Sequence, residues 1–347
     1  MRISLLVALL ACLTACQQQS QSKMLGNDFT FPDEWEAHEG TILIFPARHS
    51  YGRKSGALQR EFAALANAIQ ENEQAFVFVH TDDTDRAIEL LDEDVEIHVG
   101  DEYWIDWARD NGPMIVRNGS GERRAICFQF NGWGRKYEGW EDDVGVNAAI
   151  ARDLEIPIVY SDLALEGGAI EIGSTEEGQV GIVTAQCVMN RNRTDWPRVR
   201  VERELKEKLG LQRVIWLDKG LNPDPITDGH VDGLLKFIGK GTVLVHTTVD
   251  EEDQNFETCQ DAKRKLEAAG LEVVELPLAW DIVHMNFYIG SGGEVVYVPI
   301  CGDPSQDGPA LEILRGRFDR VVPIEAKAMG KAGGGIHCYT QQIPAGS

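Results

Sequence analysis

Five chemically capable residues recur along the chain at comparable intervals: Asp110, Glu166, His230, Asn286 and Cys338, separated by 56, 64, 56 and 52 residues. Each opens a similar local pattern, a glycine-flanked polar residue followed by an apolar strand, a tight turn and a second apolar strand. Asp232 stands two residues after His230, so an extended segment would project both from one face. A thiol beside an imidazole suggests covalent catalysis, with the sulfur as nucleophile and the ring moving protons. A cysteine peptidase uses the same pair, yet carboxylates crowded round a thiolate repel it and raise its pKa. They suit a cationic substrate better. A guanidinium is planar and presents parallel N–H donors, which flanking carboxylates can hold in bidentate pairs with the central carbon near the sulfur. The bound cation would then lower the thiol pKa, so substrate could activate its own nucleophile.

The elements that must bring these residues together follow from the same repetition. Near-regular self-similarity points to radial or stacked repetition rather than two unrelated domains, and in units set round an axis equivalent positions converge. The spacing predicts hairpins after residues 110, 166, 230 and 286, amphipathic helices near 56–71, 200–209, 254–269 and 308–316, and short following strands at 76–80, 213–217 and 271–276. In the first helix Leu58, Phe62, Leu65 and Ile69 fall near one face. Each unit therefore reads ββαβ. The last begins a strand at Cys338 and then meets the end of the chain, and the run from Thr41 to Phe45 is expected to supply its missing strand and close a ring.

The composition bounds what such a ring can bind. In 347 residues there are 56 Asp+Glu against 33 Lys+Arg, a formal net charge of -23, with 43% hydrophobic residues. That suits a globular core and disfavours nucleic acid, which needs a basic face. Residues 1–15 read as a secretory signal, one Arg followed by an apolar run too short to span a bilayer. The ending Leu13-Thr14-Ala15-Cys16 is similar to a bacterial lipobox, which makes Cys16 the expected lipidation site and residues 16–27 a polar tether. A catalytic domain over 28–347 and a lipid-anchored place in the bacterial cell envelope follow as expectations. None of the seven cysteines shows metal-binding spacing, so neither a metal nor another cofactor is expected. Without Cys12 and with Cys16 lipidated, five thiols remain, and at least one cannot form an internal disulfide. Cys338 is the expected nucleophile and Cys301, in a loop, the second choice. Cys127, Cys187 and Cys259 are expected in packing roles, and His337, next to Cys338 on a strand, should face away from the site.

Six segments together carry a resemblance: Trp107-Ala108-Arg109-Asp110-Asn111-Gly112-Pro113, Phe130-Asn131-Gly132-Trp133-Gly134, Leu165-Glu166-Gly167-Gly168, Asp228-Gly229-His230-Val231-Asp232-Gly233, Met285-Asn286-Phe287-Tyr288-Ile289 and the run from Gly333 to Gln342. They resemble the signatures of the agmatine deiminase family, which includes the Porphyromonas-type peptidylarginine deiminases, from about Trp35 to Pro344. The resemblance implies the pentein fold, a five-bladed α/β propeller of ββαβ modules, and metal-independent hydrolysis of a guanidine to a ureido group and ammonia. It makes Cys338 the nucleophile of a covalent amidino-cysteine intermediate and His230 the general acid/base. Asp110 and Asp232 then bind the guanidinium, Glu166 positions substrate or His230, and Asn286 is a polar orienting group. The glycines before Cys338, Gly335 among them, fit a backbone that closely approaches substrate, and Trp107 could cover its chain or cation face.

The substrate tail divides the family. Asp101, Glu102 and Asp106 favour the amine of agmatine, whereas Arg135 with Lys136 could receive the carboxylate of a C-terminal peptidyl arginine. An amidinotransferase and a lipid-anchored binding protein for cations are the more distant alternatives. Helix-rich rims offer a surface for a homo-oligomer.

Overall fold

The computed structural model describes residue 26 and residues 28–346; the expected signal sequence, Cys16 and most of the tether lie outside the described residues. The strands form five separate sheets. Four share one plan. In the first, β4 (Met114–Arg117) pairs antiparallel with β5 (Arg123–Gln129), and β6 (Ile158–Ala164) returns parallel to β5. The same order recurs in β7 (Ile170–Thr175), β8 (Gly178–Thr184) and β9 (Arg213–Leu217). It recurs again in β10 (Leu235–Gly239), β11 (Thr242–Thr247) and β12 (Glu272–Pro277). The fourth comprises β13 (Tyr288–Ile289), β14 (Val295–Ile300) and β15 (Arg320–Glu325).

A parallel return needs a crossover, and each is helical. The expected four helices lie at α1 (Ser55–Gln70), α3 (Arg198–Leu209), α4 (Phe256–Ala268) and α5 (Pro304–Arg315), with α2 (Val146–Asp153) crossing in the first blade. In α1 the predicted face of Leu58, Phe62, Leu65 and Ile69 is buried. It packs in a cluster with Val77, Val79 and Tyr339. Helix α5 starts as its sequence suggests: the Asp303 side chain accepts from the Ser305 N–H, and Pro304 takes the first turn, where no N–H is needed.

Ring closure is the longest-range event. Strand β16 (Gln341–Pro344) pairs antiparallel with β1 (His38–Ile44), placing Thr41 opposite Gln342 and Ile42 opposite Gln341. Helix α1 then returns the chain to β2 (Gln74–His80), parallel to β1. The fifth ββαβ blade is thus assembled from both ends of the described chain. One strand was not anticipated: β3 (Glu96–Gly100) extends this sheet beside β2 and makes it four-stranded.

Candidate active site

Residues preceding the hairpins converge as expected, but they sit on irregular backbone rather than on strands. Asp110 lies in the short helix Ala108–Asn111, ahead of β4. Glu166 precedes the 3-10 turn Gly167–Ala169. His230 lies between the bends at Gly229 and Val231, and Asp232 lies in the turn before β10, so the two do not share a strand. Cys338 lies in the 3-10 turn His337–Tyr339, and its strand begins only at Gln341. This turn corrects the expectation for His337. Instead of facing away, the buried ring bridges Asp232 Oδ2 (2.9 Å from Nδ1) and Glu34 Oε2 (3.0 Å from Nε2).

Contacts within the centre tie the five blades together. Asp232 Oδ2 also accepts from Asn286 Nδ2 at 3.0 Å and lies 3.7 Å from Cys338 Sγ. Asn286 Oδ1 in turn accepts the Cys338 N–H at 3.1 Å. Asp110 accepts from Trp133 Nε1 at 2.8 Å and from the Gly168 N–H at 3.1 Å. His230 lies between two acids, with Nδ1 3.8 Å from Asp110 Oδ1 and Nε2 3.6 Å from Glu166 Oε2. Gly168 explains why these groups can approach so closely. A Cβ there would stand 2.6 Å from His230 Nδ1, 2.8 Å from Asp110 Oδ1 and 3.1 Å from Asp232 Oδ2. At Gly335 a Cβ would meet Asn286 Oδ1 at 2.8 Å, and at Gly334 it would strike the Trp107 ring at 2.4 Å.

Two supports carried no signal in the sequence. Arg193 is buried, pairs with Glu166 at 2.9 Å, and also donates to the Trp133 and Thr227 carbonyls and to Asp228. It lies in a polar loop whose long-range partners no local pattern reveals. Asp224 shapes the loop that presents His230, accepting the N–H groups of Thr227 (2.8 Å) and Gly229 (2.8 Å). Cys187 is buried, as expected of a packing residue, but it packs against the centre. Glu166, Cys187 and His230 each bring a ligand-type atom within 4.8 Å of the others. That set could hold a borderline-soft cation in principle. The Arg193 guanidinium on Glu166 opposes it by placing a positive charge at the same spot.

The electrostatics follow from burial with an excess of acids. Burial pushes Asp110 up to about 6; His230 pulls the other way, while Asp232 and Glu166 add to the rise. Burial, then Asp232 and Asp110, push the Cys338 thiol well above its ordinary range. Burial would depress His230, but Asp110 and the Cys187 and Glu166 contacts hold it well above its usual value. Burial also opposes the ionised forms of Asp232 and Glu166, yet His337 lowers Asp232, and His230 and Arg193 lower Glu166. Without substrate the centre therefore combines carboxylates, an imidazolium and a neutral thiol.

A cavity of about 430 Å³ leads to Cys338, His230, Asp232 and Asn286. Its described lining includes Asp224, Asp281, Ile282 and Trp280 but no Lys or Arg. Arg135 is corrected here: it is exposed, with its guanidinium 5.6 Å from the Trp140 ring centre, and does not line this cavity. Lys136 is spent on Asp228 and the Pro225 carbonyl. Asp101, Glu102 and Asp106 do not line it either, so Asp224 and Asp281 provide the acidic wall that the sequence had placed elsewhere. Trp107 lies behind the wall, against Gly334 and tilted against the Tyr339 ring, with the ring centres 4.6 Å apart. Cys301 is buried, 3.4 Å from Asp307, and burial raises its pKa; it is not a second reactive centre of this cavity. All five described cysteines are free thiols.

Known proteins share this architecture. The chain is 34% identical to an agmatine deiminase of Ectopseudomonas mendocina, over 91% of this chain and 96% of that protein. The same identity holds for an agmatine deiminase of Pseudomonas aeruginosa, again over 91% of this chain and 96% of the relative. Among solved structures, the agmatine deiminase of Enterococcus faecalis superposes with a TM-score of 0.82 at 25% identity, covering 92% of this chain and 96% of that one. The fold is the pentein propeller. The model of the Porphyromonas-type peptidyl-arginine deiminase family matches residues 30–344, and the chain belongs to that family.

Proposed function

We propose that the protein hydrolyses agmatine to N-carbamoylputrescine and ammonia, with Cys338 as nucleophile. The reaction class, hydrolysis of a guanidino C–N bond, comes with the family. The observation that carries the choice of substrate is the cavity over Cys338, whose lining acids Asp224 and Asp281 suit an amine tail and which offers no cation to a carboxylate. An arginine-terminated peptide would need such a cation, and Arg135 stands elsewhere.

In this reading Asp110 and Asp232 receive the guanidinium, Glu166 holds His230, and Asn286 fixes the Cys338 backbone. The arriving positive charge offsets the two carboxylates and lowers the thiol pKa, and the proton leaves to solvent. The thiolate adds to the guanidino carbon. His230, already an imidazolium, protonates the departing nitrogen, so ammonia leaves and an amidino-cysteine cation remains. Water then adds to that carbon while His230 takes its proton. Collapse of the adduct breaks the C–S bond, forms the ureido carbonyl, and releases the hydroxyl proton to solvent. The test is incubation with agmatine, free arginine and arginine-terminated peptides, following ammonia and ureido product. Turnover of agmatine that disappears in Cys338→Ala is expected; turnover of the peptides alone would overturn the substrate assignment.

The second part of the proposal concerns place. The residue order at 1–16 supports export, lipidation at Cys16 and tethering in the cell envelope by residues 16–27. Detergent-phase partitioning that is lost in Cys16→Ser supports this; an unlipidated wild-type N-terminus by mass spectrometry refutes it.

A further inference from the structure

A second cavity, of about 640 Å³, shares no lining residue with the one over Cys338. Aromatic rings from Tyr51, Trp104, Trp107, Trp133 and Tyr137 contribute to its walls. Its acids are Asp106 and Asp143, both buried, with Glu138 and Asp142 on the exposed rim. No Lys or Arg is among its described lining; His49 alone could carry positive charge. The two buried carboxylates are built alike. Asp106 Oδ1 accepts from the Tyr51 hydroxyl at 2.7 Å, and Asp143 Oδ2 accepts from the Tyr137 hydroxyl at 2.5 Å. In each the other oxygen, Asp106 Oδ2 and Asp143 Oδ1, is buried without a hydrogen-bond partner. The Tyr339 hydroxyl stands beside Asp106 and Tyr51 and eases the deficit at Asp106, which leaves Asp143 Oδ1 as the oxygen with no donor near it.

An unpaired buried carboxylate oxygen is costly, and Asp143 Oδ1, in an aromatic cavity whose described lining holds no Lys or Arg, points to a missing donor. We infer that this cavity binds a linear alkylammonium ion, whose N–H groups satisfy Asp106 and Asp143 while its charge lies against the aromatic faces. Ammonium groups suit both parts of this site, through charge-assisted hydrogen bonds and through cation–π attraction. Burial raises both acids to about 6, and Asp143 adds to the rise at Asp106. A cation between them relieves both effects. The site goes beyond the proposed hydrolysis, but it adjoins the reaction centre: Trp133 holds Asp110 through Nε1, and Trp107 packs on Tyr339 beside Cys338.

The probe is 1,4-diaminobutane, which carries no guanidinium to hydrolyse. Calorimetric titration of the full chain and of Asp143→Asn should show a binding event that weakens about tenfold or more in the variant, while the variant still turns over guanidine substrate. Neutral 1-butanol should not bind at that event. A crystal soaked with the diamine supplies a test independent of any variant, with density within hydrogen-bond distance of Asp143 Oδ1 expected. Unchanged binding in Asp143→Asn, or density confined to the Cys338 cavity, overturns the inference.

Discussion

Two buried charge clusters meet at the propeller axis, and they are balanced differently. In one, Glu34 is surrounded by Lys236 at 2.8 Å, Arg109 at 3.1 Å and His337 at 3.0 Å, and accepts the Ile289 N–H. Burial would raise this acid, but Lys236, then the His337 contact and Arg109, hold it well below the usual carboxylate range. In the other, Asp110 and Asp232 face Cys338 with His230 as the nearby cation, and Asp110 and the thiol are both pushed up. His337 joins the two through Asp232. The first cluster is complete and holds blades together. The second is short of positive charge by design of its contacts, and a guanidinium would complete it.

That contrast is open to direct attack. The largest expected effect is Cys338→Ala, which should reduce kcat by about 10⁴-fold or more while leaving the urea midpoint near that of the wild type. Asp110→Asn should lower kcat/KM by about 10³-fold. It should also speed alkylation of Cys338 by iodoacetamide at neutral pH, because one repelling carboxylate is gone. The same substitution should raise stability at neutral pH. With a folded pKa raised from 3.8 to about 6, Asp110 lends stability only while protonated, and that contribution is lost as pH rises between those values. A destabilised Asp110→Asn would break the comparison.

Glu34→Gln should do the reverse, costing about 3–5 kcal/mol because Lys236, Arg109 and His337 lose their common partner. The folded pKa of Glu34 is depressed, so its contribution is present above the unfolded carboxylate value and fades as pH falls through the folded one. The stability gap between wild type and variant should therefore close in acid. Gly168→Ala places a methyl among His230, Asp110 and Asp232 and should cost about 1–3 kcal/mol, with a disproportionate loss of kcat. The smallest effect is expected from Cys187→Ala. Loss of this contact should move the His230 arm of the pH–rate profile to lower pH with kcat changed less than about tenfold.

Much of this was legible in the residues. The markers Asp110, Glu166, His230, Asn286 and Cys338 could be read from their spacing because the repeat places each one just ahead of an apolar hairpin, and apolar alternation is a local signal. Closure of the ring could be read as well, since an unpaired final strand and an early apolar run leave few other partners. Arg193, Asp224 and Glu34 could not be found that way. Their roles depend on partners scattered through the chain, Glu34 taking bonds from residues 109, 236 and 337. Arg135 misled for the same reason, since adjacency to a motif says nothing about where a long side chain goes.

The sequence by itself determined the five ββαβ units, four of their crossover helices and the reactive groups at the start of each hairpin, because periodicity and turn chemistry act over a few residues; the helix Val146–Asp153 of the first blade was not read from it. Tertiary structure decided the backbone on which those groups sit. It turned the expected strand at Cys338 into a tight turn, folded His337 inward onto Asp232, and brought Asp224 and Asp281 rather than Asp101 and Glu102 to the substrate cavity. Charge balance at the axis is likewise a sum over five blades. Four blades supply an acid or a cation and the blade of β13–β15 supplies the neutral Asn286, and only closure of the ring makes them neighbours.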